Sequence, residues 1–224
     1  VFALAGIWQL NRADEKRLIF STYDASGAAD VLTDPVADAE LEASLFRPLR
    51  LTGNYDASRQ FLLDMMVNEN QVGYHVLTPL RRDGDGDGLV VLVNRGWIPA
   101  GADRSMLPDV GVDTGEREVS GLIAPLPRAG IRLEPETVDA TAPWPRRVTF
   151  PSAADIRGHV DFEVAGYQLL LDPERDDGFV RAWRPTLMSP NNHLSYAVQW
   201  FGLAIALVVI YVAVNLKSNE DKTE

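Results

Sequence analysis

Charge disappears from the chain between Leu194 and Val214, leaving 21 consecutive uncharged and mostly apolar residues. As a helix that run rises about 31 Å at roughly 1.5 Å per residue, which matches the hydrocarbon core of a bilayer. A buried core helix is the competing reading, but such a helix seldom runs so long without a charged face. The pattern therefore predicts a transmembrane helix over 192–216 and a short charged tail over 217–224.

The apolar run Val1–Leu10, VFALAGIWQL, is too short to span a bilayer and opens mid-pattern with Val. It reads as the end of a first membrane helix, truncated in this sequence. A signal peptide would need a basic segment before it and a small-residue cleavage site after it. Instead Gln9, Asn11, Arg12 and the charged run Asp14–Arg17 follow. Residues 11–45 then grade from a helical extension into a linker rich in Ala, Asp, Gly and Ser, with a short helix expected near Asp38 to Leu45.

From Phe46 the period changes to two. Leu49, Leu51 and Gly53 alternate with Arg50 and Thr52, the mark of a half-buried strand. Further strands are predicted over Gln60–Val67, Val72–Leu80, Leu89–Asn94, Arg117–Ala124, Arg147–Phe150 and Glu163–Asp172. Turn residues Asp83–Gly88 between two apolar runs predict a hairpin. Ser152 with Asp155 three residues on is a capping-box pattern, so a short helix is expected at Ser152–Gly158. The fold class is β-rich (α+β): an extramembrane domain over 46–187, sheet or barrel-like, anchored by two transmembrane helices.

Composition narrows the chemistry. The formal net charge is −11 and no basic stripe with interleaved aromatics is present, so a nucleic-acid partner is not expected. The absence of cysteine removes disulfides, CxxC redox chemistry, c-type haem attachment and thiolate metal sites. Asp83–Gly88 imitates the opening of an EF-hand loop, but the twelfth position falls on Asn94 and the flanks are strands. A solvated hairpin tip is the better reading. No nucleophile elbow, HExxH or P-loop occurs, and the three histidines, His75, His159 and His193, are scattered, so no catalytic set is assigned.

The sharpest cluster opens the last helix, where Asn191 or Asn192 is expected as N-cap. At helical spacing His193, Tyr196, Ala197, Trp200 and Ala204 share one face. That face is either an aromatic belt at headgroup depth or a haem ligand, His193, lodged between Tyr196 and Trp200. Gly202 and Ala206 form a small-xxx-small pair through which the two helices would approach.

Four segments carry a family resemblance. Gly6-Ile7-Trp8-Gln9-Leu10-Asn11-Arg12 resembles the G-x-W-Q-x-x-R signature that ends the first membrane helix of the surfeit locus protein 1 family. Arg50–Asp56 looks like its first periplasmic strand, and Gly73–Leu80 followed by Val91–Pro99 is similar to its most distinctive hairpin. Asn192–Phe201 matches the entry to its second membrane helix. The resemblance implies a multi-pass inner-membrane protein, its main domain in the periplasm, or in the intermembrane space if mitochondrial. It further implies a non-enzymatic role in cytochrome c oxidase assembly, with haem a as a transient cofactor and His193 as its iron ligand. The implied partners are oxidase subunit I and the lipid bilayer, with the haem a synthesis machinery a further candidate. Gly6, Trp8, Gln9, Arg12, Arg95, Gly96 and Trp97 are the motif residues expected to serve structure or partner contact. Gly96 is expected to permit a bulge or close approach and Trp97 to fill the core or pack towards the membrane. A cofactor-free chaperone of subunit I and, more distantly, a membrane-anchored envelope hydrolase are the alternatives. Charge bias does not orient the chain, because Lys217 and Lys222 beyond the last helix are balanced by Arg12, Lys16 and Arg17 near the first.

Overall fold

The computed structural model describes residues 1–26, 29–82, 88–127, 142–183 and 189–220, with side chains of the last helix to Leu216. The chain forms two units: a helical one from Val1–Asp24 and the C-terminal helix, and a β unit from Ala25–Trp183.

Among the described residues the β unit contains seven strands: β1 (Pro48–Tyr55), β2 (Phe61–Asn68), β3 (Gln71–Arg81), β4 (Val90–Pro99), β5 (Arg117–Pro125), β6 (Arg146–Val148) and β7 (Val164–Leu171). Their order is β1-β5-β7-β4-β3-β2-β6, with a further β1–β3 pairing. Asn54 and Tyr55 of β1 pair with Arg81 and Leu80 of β3, which closes β1, β5, β7, β4 and β3 into a five-stranded barrel. All neighbours in the ring are antiparallel except β4 and β7, which run parallel. This is a Greek-key barrel of the OB type, and closure spares its strands an open edge. The long β3 bifurcates: its C-terminal end closes the ring, while Gln71–Leu77 carries β2, on whose outer side β6 is laid in parallel.

Alternation builds the barrel core. Leu49, Leu51 and Tyr55 of β1 meet Val91 and Val93 of β4, Ile123 of β5 and Tyr167, Leu169 and Leu171 of β7, all 2% exposed or less. Burying each such aliphatic side chain is worth about 1.5–3 kcal/mol. Leu92, on the opposite face of β4, joins a second cluster with Phe61, Leu63, Leu77 and Val148 under Ile156. Ile156 belongs to α3 (Ala153–Arg157); the other described α-helices are α1 (Phe2–Asp24), α2 (Leu41–Ser44) and α4 (Pro190–Glu220). The expected capping box is formed: Ser152 Oγ accepts from the Asp155 amide at 3.2 Å, and Asp155 Oδ2 accepts from the Ser152 amide at 2.7 Å.

The hairpin of β3 and β4 pairs as expected, although its turn, residues 83–87, lies outside the described residues. The segment read as linker contributes more than its composition suggests. A 3-10 turn (Asp38–Glu40) precedes α2, Val36 enters the barrel core, and its amide donates to Tyr167 Oη at 3.0 Å.

The helical extension is continuous with the first helix, so that α1 is one helix of 23 residues whose second half is charged. Among the described residues one helix is long and apolar enough to cross a membrane, Pro190–Leu216 within α4.

Candidate functional site

Helix α4 starts two or three residues earlier than the Asn residues suggest. Pro190 is its first residue and Ser189 caps it: the Asn191 amide donates to Ser189 Oγ at 3.3 Å and the Asn192 amide to the Ser189 carbonyl at 3.0 Å. A serine cap with proline at the first helical position outcompetes an internal Asn, because proline lacks the N–H that the first turn leaves unpaired. His193 therefore lies inside the first turn.

Along α4 the half-buried and buried positions are Pro190, His193, Leu194, Ala197, Trp200, Phe201 and Ala204. Along the start of α1 they are Phe2, Ala5, Gly6, Gln9 and Ala13. Both series follow alternating steps of three and four, the seam spacing of paired helices. The helices run antiparallel. Phe2 stacks on Trp200 with ring centroids 5.8 Å apart, and a Cβ on Gly6 would fall 2.7 Å from Phe201 Cζ. Gln9 Oε1 lies 2.7 Å from His193 Nδ1.

Three expectations about this face change. The helices approach through Gly6, not through Gly202 and Ala206: Gly202 has nothing within 4 Å of an added Cβ, and Ala206 is exposed. Tyr196 stands off the seam at 45% exposure, because it follows His193 by three residues but precedes Ala197, the seam residue. Trp200 is on the seam with Phe2 against its ring. Trp8 is exposed and lies under the Arg12 guanidinium at 5.6 Å; Arg12 also pairs with Glu15.

The trio Arg95-Gly96-Trp97 belongs to the barrel. Arg95 and Gly96 together oppose the single residue Val76, a β-bulge, and Gly96 takes φ +116°. Arg95 is only 4% exposed. Its guanidinium donates to the carbonyl oxygens of Asp177 (2.9 Å), Val110 (3.0 Å) and Gly111 (3.3 Å) and to Gln60 Oε1 (3.2 Å), and sits 5.0 Å above Phe179. Burial holds its pKa below the ordinary arginine value. Trp97 is buried at 6% exposure and donates from Nε1 to the Met66 carbonyl at 3.1 Å. All three residues are thus committed to packing and to tying loops onto β4.

The other two histidines are held uncharged within the barrel unit. Asn94 Nδ2 lies 3.1 Å from His75 Nδ1 and 2.8 Å from Gln168 Oε1, while the Trp183 ring meets the imidazole edge-on. Burial pushes the His75 pKa down to about 4. His159 is likewise pushed down to about 4, by burial and then by Arg146, whose Nη1 is 3.3 Å from its Nδ1. Its Nε2 is buried without a hydrogen-bond partner. Among the described residues no group of three or more His, Asp or Glu could hold a bare metal ion.

A small closed barrel and an apolar helix compatible with membrane anchoring define the class: a β-barrel domain on a chain with a candidate membrane anchor. Comparison with known proteins makes it specific. A model of the SURF1 family matches residues 1–205, and the chain belongs to that family, which is generally known for cytochrome c oxidase assembly. The chain is 28% identical to a SURF1-like protein of Rickettsia felis, over 92% of this chain and 88% of the relative. It is 25% identical to the SURF1-like protein of Rickettsia bellii, over 94% and 85%. It is 24% identical to human Surfeit locus protein 1, over 90% of this chain and 69% of the human protein.

Proposed function

We propose that this chain is a membrane-anchored, non-enzymatic assembly factor for cytochrome c oxidase that binds haem a through His193 and assists its insertion into oxidase subunit I. Both α1 and α4 serve as anchors in this reading, in the inner membrane, with the barrel on the periplasmic or intermembrane-space side. Family membership supports the oxidase part.

The single observation that supports the cofactor part is the state of the His193 ring. One nitrogen, Nδ1, is engaged by Gln9, and among the described residues Nε2 has no hydrogen-bond partner. A ring so placed would offer one nitrogen to an iron already held by a macrocycle. That fits the described residues, among which no set of three ligands is assembled for a bare ion. The bound haem would supply a redox-active iron in a hydrophobic ring; the chain's own part is to hold that iron at the first turn of an apolar helix. Exposed Tyr196, one turn along, is the aromatic left accessible, since Trp200 is engaged by Phe2. Against a hydrolase, the side-chain hydrogen bonds of the histidine rings run to Asn94, Arg146 and Gln9, two amides and a guanidinium.

The test uses the full chain purified from cells that make haem a. His193→Ala is expected to keep helix content and melting behaviour while losing or shifting the haem absorption bands. An unchanged spectrum and affinity would leave His193 as an interface anchor and put the cofactor-free chaperone first.

A further inference from the structure

We infer that Gln9 is a positioning residue for the haem ligand: its side-chain carbonyl fixes His193 as the Nδ1–H tautomer and leaves Nε2 as the one lone pair free for iron. The inference rests on the His193 reading above. Gln9 Oε1 faces Nδ1 at 2.7 Å, and an amide in this orientation accepts the Nδ1 proton, whereas the flipped amide would donate to Nδ1 and leave the proton on Nε2, a difference that the 15N measurement below reads directly. A neutral imidazole carries one ring proton, so Nε2 is then bare. Histidine free in water prefers the opposite tautomer, with the proton on Nε2, and a ring left to itself would present iron with an N–H.

The packing around the pair holds the arrangement. One turn before Gln9, Gly6 admits the Phe201 ring to van der Waals contact, and one turn after His193, Ala197 is 1% exposed. These close contacts set the distance between α1 and α4 at the level where the two side chains meet. Acceptors on the ring nitrogen that faces away from a metal orient metal-bound histidines and raise their basicity. The partner here is an amide and not a carboxylate. An amide fixes the tautomer without pulling the imidazole towards imidazolate, so the ligand stays a moderate donor, suited to a haem that must be given up again. The first-helix motif thereby acquires a chemical duty: Gln9 belongs to the haem site, although it lies 184 residues from the ligand.

The test pairs a readout free of haem with one that uses it. In the full chain, labelled with 15N-histidine and held in lipid nanodiscs, His193 is assigned by its loss in His193→Ala. Wild type is expected to show Nδ1 protonated and Nε2 bare; Gln9→Leu is expected to invert that ratio. In parallel, haem a titration of Gln9→Leu is expected to weaken by about 10–100-fold, the usual cost of removing such a partner. Gln9→Glu retains an acceptor and should keep the tautomer while moving the midpoint potential of the bound haem to more negative values. An identical tautomer ratio in wild type and Gln9→Leu overturns the role of Gln9, whatever the haem does. A tautomer that follows Gln9 in a chain that takes up no haem a overturns the His193 reading itself, and the positioning role with it. Should Gln9→Leu not fold, the near-isosteric Gln9→Glu decides alone: an unshifted potential sinks the proposal.

Discussion

Gly96 carries a backbone constraint that no other residue type meets cheaply. Its φ of +116° is coupled to close approach, since an added Cβ would lie 2.8 Å from the Val180 carbonyl oxygen and 2.9 Å from the Phe179 carbonyl carbon. Both neighbours are backbone and belong to the strip that pairs with Trp97, so neither can step aside. Gly96→Val is expected to cost roughly 2–4 kcal/mol, read as a lower urea midpoint of the purified chain. A variant that melted like wild type yet lost oxidase assembly would reassign the trio to partner surface. The glycine's role was legible from its place beside a strand. The burial of Arg95 was not, because its acceptors come from Gln60, Val110, Gly111 and Asp177, which no local pattern brings to β4. The same holds for His193: its helical turn could be read from the sequence, but Gln9 as its partner could not. The three-and-four spacing of Phe2, Gly6, Gln9 and Ala13 was the available signal, masked by the shortness of the apolar run.

Secondary elements were the most readable level. All seven strands fall on the apolar runs that announce them, within a few residues at each end, since alternation and turn residues act locally. Extensions such as that of β4 to Pro99 come from pairing with β3, a tertiary cause. The helix–helix seam shows where local reasoning misdirects. Gly202 and Ala206 have the right sizes at the right spacing, but they lie on an exposed side of α4, and the close approach is made by one glycine of α1 against Phe201. Gly6→Leu should therefore overpack this crossing, at a typical 1–3 kcal/mol, and separate Gln9 from His193. The chain has no native cysteine. Oxidative cross-linking of a Gln9→Cys/His193→Cys pair is thus a clean measure, expected to fall several-fold when Gly6→Leu is added. Gly202→Leu, which meets nothing, should leave the yield unchanged.

At the scale of the molecule, closure of the barrel could not be read from the strands, because it depends on two residue pairs between β1 and β3 and on the parallel β4–β7 contact. Neither leaves a mark on local composition. The closed barrel also makes stability answer to pH through its buried rings. His75 and His159 are each held down to about 4 in the folded chain, against an ordinary 6.5. Between those values the unfolded chain binds protons that the folded chain refuses, so stability is full above pH 6.5 and declines as the pH falls towards 4. For His75 the loss is on the order of 3 kcal/mol. His75→Gln should flatten the fall of the denaturant midpoint across that window; curves that stay parallel to wild type would show that the ring does not titrate this way. The insertion of the whole barrel sequence between α1 and α4 has a consequence in time. At the usual pace of translation, α1 waits on the order of ten seconds or more for the turn that carries His193. During that interval Gln9 has no ring to hold and Gly6 no Phe201 to receive. The pairing of Gln9 with His193 is thus among the late parts of the molecule to come into being, and on the proposed reading a ribosome stalled anywhere in the barrel would leave a chain without its haem ligand.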